Sequence, residues 1–348
     1  MDKPHKADIL TTLLTAPSED FVAVVCDKPW EQEFSFPVVV KVDDHYNMYY
    51  GTYTGKADDR SRYFALCLAT SIDGKKWTKP NLGICEFDGD YNTNIISYEI
   101  EGFSIEKKDN HFFLISYSTD FLTKLYKSSD GIHFDKIPTF NIPYCCDSPN
   151  QLLYNKDTGE WNIFLRSWYK SENKNIFYNH TDSLYRNVSV AKTYDIENFK
   201  MELSETPFYR WGCSIPPALS DEVPMFFEKN NTNEDFDIYN SCIHKYCDTC
   251  FIAYPSHYYH TPQVSLGGEY DNDGYATIAL YHSRDGEHFD LITDKYITPS
   301  HQKSWCEFAM GHYSDEESYI HYWIDFNKTH GNTYYKKNSI QGGIHYLR

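Results

Sequence analysis

The sequence predicts an all-β protein, a five-bladed β-propeller of four-stranded antiparallel blades, and three observations carry that prediction. The first is a recurring turn, Ser-x-Asp-Gly-x-x-aromatic. It occurs as Ser71-Ile72-Asp73-Gly74-Lys75-Lys76-Trp77, as Ser128-Ser129-Asp130-Gly131-Ile132-His133-Phe134 and as Ser283-Arg284-Asp285-Gly286-Glu287-His288-Phe289. Asp hydrogen-bonds its own backbone and Gly supplies a positive φ, so Asp-Gly between β-prone runs marks a tight hairpin. A weaker copy without the Gly, Thr193-Tyr194-Asp195-Ile196-Glu197-Asn198-Phe199, lies between the second and third. The second observation is a strand-turn-strand grammar that restarts five times, with first strands near residues 36, 104, 148, 238 and 308. The third is an aromatic content of 17%, with 31 Tyr and 22 Phe, residue types that favour strands.

Taken in order, residues 1–20 read as a lead-in segment, with Ile9-Leu10 and Leu13-Leu14 at helical spacing, and 21–348 as a single propeller domain. The first unit runs 36–42, turns at Asp43-Asp44 and returns over 46–53; a third strand over 62–69 feeds the first Asp-Gly turn, and Trp77 opens a fourth. Strands over 102–107, 111–117 and 122–128 make the second unit, and 147–154, 161–166 and 188–193 the third. The fourth takes 237–241, 250–254 and 276–282, and the fifth 306–311 and 319–325. Blades of this size bury one face on a neighbour, and closing the ring protects the sheet edges. A sandwich or β-helix would lack the turn that occurs once per unit. The insertions at 170–187 and 204–236 show no strand alternation and read as loops over one face, where long loops are more often functional than idle.

A formal net charge of −18 with no Lys/Arg-rich run argues against a nucleic-acid partner. No stretch of about 18 apolar residues is present to span a membrane. The N-terminus has no secretory pattern, which points to the cytoplasm, or to a secreted protein whose leader has been removed. The ten cysteines therefore read as reduced core residues. Cys247-Asp248-Thr249-Cys250 has half-site spacing but no matching second pair, and a three-histidine zinc site has no spacing signal because His-Glu-x-x-His is absent. Neither a Gly-rich phosphate loop nor a Gly-x-Ser-x-Gly elbow occurs. No cofactor and no metal ligand set is expected, apart from a structural cation that a central channel could hold.

Trp30-Glu31, the run Tyr46-Asn47-Met48-Tyr49-Tyr50, residues 71–83 and Ser283-Arg284-Asp285-Gly286 resemble the five-bladed propellers of the invertase and arabinanase glycoside hydrolases (families 32 and 43), and more closely their uncharacterised relatives, over about 25–348. The resemblance implies cleavage of furanoside or other terminal sugars from an oligo- or polysaccharide. The invertase signatures Asn-Asp-Pro-Asn and Arg-Asp-Pro are missing, which argues against a fructosidase. The chain stops about where such relatives continue into a β-sandwich. A carbohydrate-binding propeller without catalysis is an alternative; a transferase or phosphorylase is another, and it would need Arg166 and Arg210 to converge in a basic pocket.

Such hydrolases work with carboxylates, one donating a proton to the leaving oxygen and one acting as base or nucleophile. In a propeller the inner strands start at a central pit, so the informative acids are those that open inner strands. Asp147 opens the third, Asp237 the fourth and Glu307 the fifth, while Glu31 and Glu33 precede the first. Glu307, beside Trp305-Cys306, is nominated as general acid because apolar company raises a carboxyl pKa. Asp147, near Ser148 and Asn150, is nominated as base or nucleophile, with Asp237 tuning the donor. Glu31, Glu33, Asn150, Arg166, Arg210, His260 and His330 are candidates for gripping substrate, with Trp211, Tyr239 and Trp305 as stacking platforms.

Overall fold

In a computed structural model, the described residues are 22–56, 58–118, 122–143, 146–147, 149–170, 184–202, 208–210, 213–215, 227, 236–247, 249–260, 274–299, 304–315, 319–326, 328–330 and 341–347. The lead-in segment expected over 1–20 lies outside them.

Five antiparallel sheets follow one another along the chain and form a ring, a five-bladed β-propeller. Blade 1 contains Glu33–Val42, His45–Tyr53, Phe64–Ser71 and Ile95–Ser97 in sequential order; blade 2 contains Ile100–Lys108, His111–Ser118, Thr123–Ser128 and Asp135–Lys136. Three strands make blade 3, Gln151–Asn155, Glu160–Lys170 and Leu184–Thr193. In blade 4 both inner strands are broken, the first into Asp237–Ile238 and Ile243–Cys247 and the second into Cys250–Ala253 and Ser256–His260; Gly274–Ser283 and Asp290–Ile297 complete it. Blade 5 has an inner strand split into Cys306–Phe308 and Tyr313–Ser314, then Tyr319–Asp325 and Gln341–Leu347.

Two sequence expectations are corrected. Trp77 opens no strand: the fourth strand of blade 1 is Ile95–Ser97, because Trp77 turns back to donate its indole N–H to Gly74 O at 3.1 Å. The 204–236 insertion contains a short hairpin, Phe208–Arg210 with Cys213–Ile215, which three-residue strands are too short to announce by alternation.

Inner strands meet through side chains as well as backbone. The Leu152 N–H donates to Ser104 Oγ, joining blade 3 to blade 2. The Gln151 amide reads both backbone groups of Ile243, joining blade 3 to blade 4. Backbone bonds from Val39 N to Met310 O and from Met310 N to Pro37 O close blade 5 on blade 1. That last approach needs Gly311 (φ +73), since a Cβ there would meet Val39 O at 2.0 Å. Each inner strand carries a left-handed residue within it or just before it: Phe36, Gly102, Asp147, Cys242 or Gly311. These kinks end regular pairing near the pit and redirect side chains into it.

The Ser-Asp-Gly turns share one wiring. In the first, Ser71 Oγ accepts from the Gly74 N–H, while Asp73 Oδ1 accepts from Ser71 Oγ and from the N–H groups of Lys75 and Lys76. The turns at Asp130 and Asp285 repeat this and add a histidine, His133 or His288, on the second carboxylate oxygen. The first two turns dock on the preceding blade of the ring. Gly131 O accepts from Tyr49 OH of blade 1, and Gly74 O from Tyr322 OH of blade 5. The turns therefore set how blades stack and lie away from the acids described next.

Candidate active site

Four blades contribute to one buried polar cluster. Its two halves begin with the same four-residue pattern, Asp-x-x-Asn, at Asp147-Ser148-Pro149-Asn150 and Asp237-Ile238-Tyr239-Asn240. In each half the Asn anchors the second strand of its own blade: Asn150 Oδ1 accepts from the Arg166 N–H and Asn240 Oδ1 from the Ser256 N–H, both at 2.9 Å. Asn150 Nδ2 also donates to Asp147 O at 2.8 Å, bracing the left-handed residue (φ +53) that opens the blade. Asn150 thus positions Asp147.

Each aspartate faces an arginine. Arg166 Nη1 donates to Asp147 Oδ2 at 2.9 Å, and its Nε and Nη2 donate to Tyr239 O at 3.0 and 2.6 Å, tying blade 3 to blade 4. Arg186 Nη1 donates to Asp237 Oδ2 at 3.0 Å, and His260 Nε2 lies 3.0 Å from the same oxygen. Both guanidinium groups approach the Tyr239 ring, at 3.9 Å for Arg166 and 5.5 Å for Arg186. A buried arginine and a buried aspartate are tolerated only as such a pair, because either alone would carry an uncompensated charge. The side chain of Asp237 is fully buried, whereas that of Asp147 is 35% exposed, which makes Asp147 the solvent-facing member.

Glu307 is built differently. The Trp305 indole N–H donates to its Oε1 at 2.8 Å, and Oε2 is buried without a hydrogen bond of normal geometry. Burial pushes this carboxyl from its ordinary 4.5 up to about 7, against the opposing Trp305 bond and the peptide N–H of Phe36; the nearby Glu33 adds to the rise and Arg166 opposes it. Glu33 is itself raised by burial and pairs with Lys328 Nζ at 2.7 Å. His330 Nε2 lies 3.1 Å from Tyr239 OH, and its ring sits 4.7 Å from Trp305. Burial, then Arg186 and Arg166, hold His330 well below the usual imidazole range, so it is neutral.

Asp147, Asp237, Glu307, Glu33, Arg166, Tyr239, His260, Trp305 and His330 thus come together in one place. Glu31 is set apart by its partners: Lys79 Nζ and the N–H groups of Asp27 and Lys28 reach one oxygen, and Tyr50 OH the other. It braces the segment that leads into blade 1. The side chain of Arg210 and all of Trp211 lie outside the described residues. Arg186 was missed by sequence reasoning because it falls at the end of an insertion read as a loop. Its one sequence signal is alternation over 184–193.

The arrangement offers a buried carboxyl that holds a proton near neutrality and, in the same cluster, a solvent-facing carboxylate locked in an ion pair. Such a pair can donate a proton to a leaving oxygen and direct a nucleophile.

No family model and no curated protein matches the chain. Solved structures do. Similar ones include a complex of BT0996 with RGII (TM-score 0.59, 12% identity, covering 99% of this protein and 95% of that one) and a glycoside hydrolase (0.57, 12%, 99% and 95%). A third comes from work on the GH130 family of mannoside phosphorylases, which contains glycoside hydrolases that target β-1,2-mannosidic linkages in Candida mannan (0.53, 12%, 99% and 92%). Identity at this level carries the propeller architecture. No helix among the described residues is long and apolar enough to cross a membrane.

Proposed function

We propose that the protein hydrolyses glycosidic bonds of furanosides or other terminal sugars in oligo- or polysaccharides. Glu307 is the general acid, Asp147 the base or nucleophile, and Asp237 the residue that tunes the site through Arg186 and His260. The observation that carries this reading is the contrast between Glu307, whose proton affinity burial lifts to about 7, and Asp147, partly exposed and paired with Arg166. Two carboxyls driven apart by their surroundings are what acid/base cleavage of an acetal requires. The propeller shared with glycoside hydrolases supports the same class.

The test is a screen of aryl glycosides and natural polysaccharides with wild type, Glu307→Gln and Asp147→Asn. Wild type is expected to turn over at least one substrate, with each variant folded and slower by at least about 10²-fold. Activity on the natural substrate should fall as pH rises through about 7, where Glu307 loses its proton. Wild-type rates in both variants would overturn the assignment.

A second reading is phosphorolysis, favoured by the two guanidinium groups that approach Tyr239 and by the propeller shared with a mannoside phosphorylase family. In sequence terms Arg186 takes the part foreseen for Arg210. Turnover that requires inorganic phosphate and releases a sugar 1-phosphate would replace hydrolysis with this reaction.

A further inference from the structure

Beyond the Cys242 kink, on the other half of blade 4's inner strand, three histidines meet that the acid cluster does not use. His244 lies on Ile243–Cys247, His312 between the two pieces of blade 5's inner strand, and His321 on Tyr319–Asp325. Each offers one ring nitrogen, and the three atoms lie within 4.8 Å of one another. His244 Nδ1 and His312 Nδ1 are 3.3 Å apart. In a tetrahedral site with bonds of about 2.0–2.1 Å, adjacent ligand nitrogens stand about 3.3–3.4 Å apart, so this pair already spans one edge.

The surroundings fix the ring of His244 as a metal ligand's ring is fixed. Its Nε2 lies 3.1 Å from Ala309 O, an acceptor only, so Nε2 carries the hydrogen and Nδ1 presents its lone pair to His312. His321 Nε2 lies 3.0 Å from Tyr246 OH, which is in turn 2.9 Å from Tyr254 OH. Phe308 stacks on Tyr254 with centroids 4.2 Å apart and closes another side. Among the described residues no carboxylate joins the group. A donor set of imidazole nitrogens alone suits zinc-class ions and is poor for calcium or magnesium, which want oxygen.

We propose that His244, His312 and His321 bind one divalent transition-metal ion of the zinc class, which clamps blade 5 to blade 4. The ion sits close to the junction where Met310 closes the ring on Val39. Blade 5 is the last unit to join, and a metal bridging two blades stabilises only the closed ring.

The test uses the full chain stripped with a chelator and titrated with Zn²⁺ and then Co²⁺. One equivalent of Zn²⁺ per chain is expected to bind with Kd below about 10 µM and to raise Tm by several degrees. Co²⁺ should give the intense visible bands of a four-coordinate, nitrogen-ligated ion. His312→Gln and His321→Gln, checked for folding by circular dichroism, should each weaken binding at least about 10-fold. Failure of the wild-type chain to take up Zn²⁺ or Co²⁺ at about 100 µM would overturn the proposal, as would folded variants that bind like wild type. Should the variants not fold, the Co²⁺ spectrum of wild type decides: weak octahedral bands would mean that the ion sits elsewhere.

Discussion

Asp130 and Asp237 are the same residue type held in opposite ways. Asp130 sits in an exposed turn and is satisfied within three residues, by the N–H groups of Ile132 and His133, the His133 ring and Ser128 Oγ. Against a partial desolvation that pushes it up, those bonds hold its carboxyl well below the usual range. Asp237 is fully buried and depends on Arg186, 51 residues away in the neighbouring blade. The turn carries its own partners wherever the fold places it. The pit aspartate exists as a charge only because two blades meet, which is why acids of the second kind are candidates for chemistry and acids of the first kind are structural.

The comparison breaks most sharply at Arg186. Arg186→Met leaves Asp237 buried without its cationic partner and is expected to cost about 3–5 kcal/mol in urea unfolding, with the Asp237→Leu double variant recovering much of the loss. Recovery would fail if the two residues were energetically independent.

Glu307 sharpens it through pH. Its folded pKa, about 7, lies above its ordinary 4.5, so the fold favours the protonated form. Stability from this group is therefore full below about pH 4.5, declines as pH rises, and is lost above about 7, by up to about 3 kcal/mol. Glu307→Gln should remove that decline, which urea unfolding at pH 5 and pH 8 would reveal as a flatter profile than wild type.

Asp130 gives the smallest effect and the opposite sign. Its folded pKa lies below its ordinary 3.8, so its contribution is present above about pH 4 and is lost as pH falls further. Asp130→Asn should cost about 1 kcal/mol and leave turnover unchanged. A large loss of activity would mean that the turn reaches the pit after all.

The acids at inner-strand starts were legible because blade counting places Asp147, Asp237 and Glu307 at the same end of three strands. The Asp-x-x-Asn pattern they share in blades 3 and 4 was present in the sequence too, though its meaning depends on a bond to the second strand of each blade. Glu31 opens its segment as the others do, yet Lys79, Tyr50 and two backbone N–H groups occupy it. No one-dimensional feature distinguishes it from Glu307. Arg186 and the three histidines were not legible, because their partners lie on other strands or in other blades.

By itself the sequence determined the blade, since a Ser-x-Asp-Gly turn closes hydrogen bonds among residues two and three apart and needs only its own chain. It also determined that acids would open three of the inner strands. Which acids are paired with arginine, which one burial keeps protonated, and which histidines meet were decided by the closure of the ring. Charge and desolvation energies depend on what lies within a few ångströms, and in a propeller those neighbours come from blades distant in sequence.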